Sequence, residues 1–314
     1  MSKIDVSCIG ILVADVITKP VDKIPAPGLL ERVSSIETYT GGCAMSAGID
    51  MAKIGIKTAV LGKVGNDSFG EFLKEALVKY GVDTRGIAVD ENVQTSASVV
   101  LSSSSGERSF LHTVGANGTF CYEDVNWDVI ADSDIIFVAG TMLMDSFDGE
   151  CCAQVLKKCK EMGKTTVLDT AWDSQGRWMK VLEPCMQYID IFLPSIDEAI
   201  ELSGETEPDK IADVFFNMGV SKVVIKLGSR GCYMRETKDS QPVIIPCFKV
   251  KAVDTTGAGD SFCAGFLSAM AKGLSFEQCG RFANAVGAHC VMAMGATTGI
   301  KSFEEINEFI DTYK

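Results

Sequence analysis

The residues best suited to chemistry are Asp254-Thr255-Thr256-Gly257-Ala258-Gly259-Asp260-Ser261-Phe262. The segment follows an alternating apolar stretch and opens a helical pattern. Two glycines separated only by alanine let a ligand come close to the backbone. Their N–H groups then fall at a helix N-terminus, where the dipole favours negative charge. Such a cluster suits the charge that develops in phosphoryl transfer. A carboxylate directly after it, Asp260, is placed to take the proton of an attacking hydroxyl. Helix-capping preferences alone leave another role open, in which Asp260 only complements the helix start.

The elements around this segment alternate between strand and helix. Strand patterns cover 4–13, 58–64, 135–139, 165–169, 189–193 and 222–227. Helical patterns cover 41–55, 67–80 with Asp67 as N-cap, 150–162, 175–187, 196–203 and 210–218. Short apolar strands between helices predict an α/β fold with a central, mostly parallel sheet covered on both faces. Residues 30–40, 95–102 and 108–113 break the rhythm; the last two are joined by the polar turn Ser103-Ser104-Ser105-Gly106. They read as antiparallel strands of a small β-sheet lid over the crevice where open α/β sheets bind ligands. Residues 231–235 and 242–247 read as an edge hairpin, and 258–272, 276–292 and 302–313 as helices. The expected organisation is one α/β domain over 1–314, with lid strands inserted at about 11–40 and 92–115.

Composition narrows the function classes. The net charge of −13 argues against nucleic-acid or anionic-membrane partners, which need a basic surface. No run reaches the roughly 18 apolar residues of a membrane span. The apolar run Val6–Val13 is bracketed by Asp5 and Asp15 and reads as a strand, not a leader. A cytoplasmic protein is expected. The twelve cysteines form no C-x-x-C pair, so they read as core residues in a reducing compartment. No G-x-G-x-x-G follows the first strand, and no G-x-x-x-x-G-K-[ST] occurs, which argues against dinucleotide-binding and P-loop enzymes.

The string Asp254 to Asp260 resembles the C-terminal signature of the ribokinase-like (PfkB) carbohydrate and nucleoside kinases. Gly41-Gly42, Ala47-Gly48 and Ile54-Gly55 resemble the N-terminal signature, and Gly62 to Gly70 the stretch that follows it. The resemblance implies an ATP-dependent kinase acting on a hydroxyl of a small sugar, with Asp260 as base and the Gly257, Ala258 and Gly259 amides as anion hole. It implies that Asp15, Gly41, Gly42, Ser46 and Thr95 face the sugar. It implies that Lys226, Gly228, Gly231, Thr255 and Asn284 lie along the nucleotide. For Asn284 and for the turn around Gly228, ordinary structural roles stay open: a backbone-bonded buried Asn and a plain turn. His112 and Asn117 are further lid candidates for substrate contact.

Three departures from the family pattern stand out. Glu198 of the magnesium-organising N-x-x-E motif is present, but Ser195 replaces Asn; Mg²⁺ is expected to be held largely through water and phosphate oxygens. Ser46 stands where the family carries a sugar-contacting Asn. No arginine lies within 170–173, and Arg177 is the nearest, which favours an unphosphorylated substrate. Asp254 and Thr256, with carbonyls from Gly295 to Gly299, match a loop that binds K⁺ in relatives. A homodimer through the lid, a nucleoside substrate and a non-catalytic sugar sensor are the remaining expectations.

Overall fold

A computed structural model describes residues 3–105 and 107–313. The first element departs from the expected single strand. β1 (Ile4–Gly10) ends where Asn117 clamps Leu12, accepting its N–H and donating to its C=O, and β2 (Val13–Lys19) begins in another sheet. β3 (Ser35–Gly41), α1 (Cys43–Ile54), β4 (Thr58–Gly65) and α2 (Ser68–Lys79) follow. Asp67 caps α2 as expected, accepting from the Gly70 N–H. β5 (Asp83–Asp90), β6 (Ala97–Ser102) and β7 (Arg108–Thr113) precede α3 (Trp127–Asp132) and β8 (Ser133–Thr141). β5 and α3 carry no clear periodicity and were not expected. Gly106, of the expected polar turn, lies outside the described residues.

The middle of the chain repeats strand and helix: α4 (Glu150–Glu161), β9 (Thr165–Thr170), α5 (Met179–Met186), β10 (Ile191–Phe192), α6 (Ile196–Ser203), α7 (Pro208–Asn217) and β11 (Lys222–Lys226). α5 starts four residues later than its pattern suggests. The Asp173 carboxylate accepts the N–H groups of Gln175, Arg177 and Trp178, which holds that stretch in a turn. The edge hairpin is β12 (Cys232–Arg235) with β13 (Val243–Ile245); α8 (Ala258–Ala271), α9 (Phe276–Val291) and α10 (Phe303–Thr312) close the chain.

Nine strands form the main sheet in the order β13-β12-β11-β10-β9-β8-β1-β4-β5. It is parallel from β11 to β5, with an antiparallel hairpin at one edge. Two apolar layers cover it. Helices α1, α2, α8, α9 and α10 bury one face and α3 to α7 the other. The small sheet runs β3-β2-β6-β7. Its outer pairs are antiparallel, but β2 and β6 run parallel, so it is mixed where antiparallel strands were expected.

Candidate active site

Helices α2, α6, α9 and α10 begin on Asp67, Ser195, Ser275 and Ser302, whose side chains bond first-turn N–H groups. Helices α1 and α8 begin on Gly42 and Gly257, which offer no side chain for a cap. First-turn amides there, apart from that of Ala258, which donates to the Thr255 carbonyl, therefore remain available to an anion. The two helices pack together, and Cys43, first residue of α1, lies close enough to Asp260 to lower its carboxyl pKa.

The glycines of the turn differ in what they require. Gly257 has φ +75°, and a Cβ there would lie 2.5 Å from the Ala296 Cβ, so the fold itself demands glycine. Gly259 is helical, and its added Cβ would meet only Lys226 Nζ, at 3.6 Å. Gly259 is exposed and Asp260 partly exposed, so the turn fronts open space. Asp260 is nonetheless enclosed enough that burial raises its carboxyl above the usual range, against the lowering effects of Lys226 and Cys43.

Beneath the turn, Lys226 Nζ lies 2.7 and 2.6 Å from the two oxygens of Asp169, and Cys263 Sγ lies 3.3 Å from Asp169 Oδ2. Burial pushes the Asp169 carboxyl up to about 7, opposed by Lys226 and aided by Glu198 and Asp260. Asp169, the Cys263 thiol and Glu198 raise Lys226 above its ordinary range in spite of its own burial, which holds the amine protonated. The ammonium expected along the nucleotide is thus committed to Asp169. Sequence spacing gave no signal for Asp169, 57 residues away.

Glu198 Oε2 accepts from the Ser195 N–H at 2.9 Å and from the Thr170 hydroxyl at 3.0 Å. Ser195 thus forms a capping box with it. No group of three or more His, Cys, Asp or Glu side chains among the described residues could hold a metal. A single carboxylate with water is a donor set that Mg²⁺ accepts.

The small sheet aligns Tyr39, Asp15, Ser98 and His112 as neighbours across β3, β2, β6 and β7. Ser98 Oγ lies 3.1 Å from His112 Nδ1, and Asp15, its cross-strand neighbour, has a carboxyl raised by burial against the lowering effects of Ser98 and His112. Ser98 was not singled out in the sequence; its signal is the cross-strand register with Asp15. A Cβ on Gly41 would lie 2.1 Å from Asp15 Oδ2. Asp15, Gly41, Gly42, Cys43 and Asp260 thus run as one chain of neighbours around the start of α1.

Several expected contacts are structural. Thr95 is buried; its hydroxyl donates to Asp67 at 2.7 Å and accepts from the Gly65 N–H, tying the root of β6 to α2. Gly42 has φ +95°, and its Cβ would lie 2.4 Å from the Ile11 carbonyl oxygen, so packing alone requires glycine there. Ser46 is buried within α1. Asn284 is buried and donates to the carbonyls of Ile245 and Pro246. Asn117 is spent on Leu12. Gly228 and Gly231 form a tight turn after β11, with Gly231 N–H bonded to Gly228 O; Gly228 has open space around it. Thr255 is exposed, and its carbonyl accepts from the Ala258 N–H.

The oxygens expected to bind K⁺ already carry the protein's own donors. Asp254 accepts from the Thr256 N–H and hydroxyl, the Gly295 N–H and Arg108. These bonds outweigh burial and hold its carboxyl down at about 2. Cys290 Sγ spans the Thr256 and Ala296 carbonyls, and Lys53 Nζ reaches those of Thr297 and Thr298. The donor set does not fit a monovalent metal.

A model of the pfkB family of carbohydrate kinases matches residues 3–302. The chain belongs to that family. Its members are phosphotransferases with an alcohol group as acceptor. This pfkB kinase is 30% identical over 293 residues to ribokinase of Haemophilus influenzae, covering 91% of this chain and 92% of that one. It is 28% identical over 299 residues to 2-dehydro-3-deoxygluconokinase of Bacillus subtilis, covering 91% of each. The solved structure of Arabidopsis thaliana ribokinase complexed with ribose and ATP superposes with a TM-score of 0.86, at 26% identity over 99% of both chains. The main sheet, its two helical layers and the separate small sheet are therefore ribokinase-like. No helix of this pfkB kinase among the described residues is long and apolar enough to cross a membrane.

Proposed function

We propose that this pfkB kinase transfers the γ-phosphoryl group of ATP to a hydroxyl of a small, unphosphorylated sugar or sugar-like substrate. The convergence of two glycine-started helices on Asp260 carries the reading. ATP supplies the phosphoryl group, and Mg²⁺ neutralises charge on its oxygens. The amides of Gly257, Gly259 and Asp260 at the start of α8, joined by that of Ala258 once it leaves the Thr255 carbonyl, stabilise the anionic transition state. Asp260 accepts the proton of the acceptor hydroxyl, with the Cys43 thiol beside its carboxylate. Lys226 lowers the pKa of that carboxylate, against the raising effect of its burial. Asp15, beside Ser98 on the neighbouring strand, binds substrate hydroxyls from the small sheet, with His112 at the open end of the row. The small sheet excludes water as a lid. Glu198 holds Mg²⁺ through water, and the open turn at Gly228 lies along the phosphates.

The polar row on the small sheet favours a polyol over a nucleoside. Arg177 is held by Asp173, Asp145 and the Met142 carbonyl, leaving little for a substrate phosphate. Exposed Ile36, Val99 and Leu111 on the other face of the small sheet support a homodimer through the lids. Twelve free cysteines support a reducing, cytoplasmic setting, and the net charge of −13 supports the lack of a nucleic-acid partner. One domain, with the lid strands inserted in it, accounts for the chain.

The test is ADP release with a panel of aldoses, ketoses, sugar acids, sugar phosphates and nucleosides. Turnover confined to unphosphorylated sugars is expected. Sugar binding without ADP release from any member would identify a sensor instead.

A further inference from the structure

Arg108 is the first residue of β7, on the small sheet, yet its side chain ends in the main domain. Its Nη1 donates to Thr256 Oγ1 at 2.7 Å and its Nη2 to Asp254 Oδ2 at 3.1 Å. Thr256 directly precedes Gly257, on which α8 begins. A planar guanidinium can bridge two acceptors at once, as a point charge cannot. Arg108 therefore fixes the side chains at positions 254 and 256 and leaves the following amides aimed outward.

The rest of the loop is closed to a metal. Asp254 accepts four donors, Cys290 serves the Thr256 and Ala296 carbonyls, and Lys53 Nζ lies 2.5 Å from the Thr297 oxygen. A metal at Asp254 would displace these donors and repel the guanidinium. The two side chains meet across 146 residues and two sheets, so the bond exists only while the small sheet is docked.

We propose that Arg108 is a positioning residue of the anion-binding turn: it takes the electrostatic place of a monovalent metal at Asp254 and makes the turn's order depend on docking of the small sheet. The inference rests on the proposed role of Gly257 to Asp260 in phosphoryl transfer. Transfer is then independent of K⁺, and the lid reports its closure to the phosphate site directly.

Two measurements test it. Crystals of the wild type and of Arg108→Gln, soaked in thallous acetate, are compared in anomalous difference maps. No peak is expected beside Asp254 in the wild type, and one is expected in the variant. ADP release is then followed in tetramethylammonium or potassium chloride at fixed ionic strength. The wild-type rate should change by less than about twofold. Arg108→Gln should lose roughly tenfold to a hundredfold, the scale of a misplaced anion-stabilising group, and recover partly with K⁺. Arg108→Lys, which keeps the charge and loses the fork, should fall between. A thallium peak beside Asp254 in the wild type, strong K⁺ activation of the wild type, or an unimpaired Arg108→Gln would overturn the proposal. A chain that turns over no substrate would refute the kinase reading, while the thallium maps would still decide the metal question.

Discussion

Lys226 and Asp169 form a closed ion pair beneath Gly259, with Lys226 Nζ 2.6 Å from Asp169 Oδ2. Removing only the cation leaves a buried carboxylate without a partner. Lys226→Met should destabilise the chain by about 3–5 kcal/mol, whereas Lys226→Met with Asp169→Leu should recover most of that in urea unfolding. The ammonium also lowers the Asp260 pKa, so Lys226→Met alone should move the acidic limb of kcat/KM to higher pH, and the double variant, which also removes the Asp169 charge, should move it less. A limb that stays in place in both would separate the pair from the base.

Asp260→Asn keeps the shape of the helix start and removes the proton acceptor. Turnover should fall by about 10²–10⁴-fold while binding of a non-hydrolysable ATP analogue, read by calorimetry, stays unchanged. Turnover near the wild-type level would remove Asp260 from the base role.

Gly259→Ala tests the anion hole without disturbing the fold. The added Cβ meets only Lys226 Nζ at an ordinary contact distance, and alanine is the better helix former. The melting temperature should hold or rise slightly, while the affinity for ATP falls. Unchanged affinity would mean that no ligand approaches this backbone closely.

Asp50 offers a pH signature of folding. It is fully buried in α1, accepts from Ser261 Oγ at 2.5 Å, and its Oδ1 has no hydrogen-bond partner among the described residues. Burial raises its carboxyl well above the usual range. The native chain then keeps a proton that the unfolded chain releases above pH of about 4. Stability should therefore fall as pH rises toward the native pKa, by up to about 1.4 kcal/mol per unit. Asp50→Asn should flatten that slope in denaturant melts between acid and neutral pH. An unchanged slope would place the titration elsewhere.

Glu198→Gln retains an oxygen for the Ser195 N–H and the Thr170 hydroxyl, so the cap of α6 should persist. Loss of the charge should raise the Mg²⁺ concentration needed for half-maximal ADP release. An unaltered Mg²⁺ dependence would confine Glu198 to its capping role.

Local spacing made much of this chain legible. The strand–helix alternation, the Asp67 cap, the Ile196–Ser203 helix and the glycine-started α8 with Asp260 in its first turn all follow from neighbours a few residues apart. Spacing also showed where it would fail: β5 interrupts its apolar run with Arg85 and Gly86, and α3 has only six residues. What tertiary structure decided is how distant polar groups pair. Thr95 is claimed by Asp67, Asn117 by Leu12, Lys226 by Asp169 and Asp254 by Arg108. Each pairing is set by sheet order and by the packing of one layer on another, because a buried donor or acceptor must find a partner wherever the fold places one. Sequence could name the groups that have chemistry to offer; only the folded chain determines which of them are already spent.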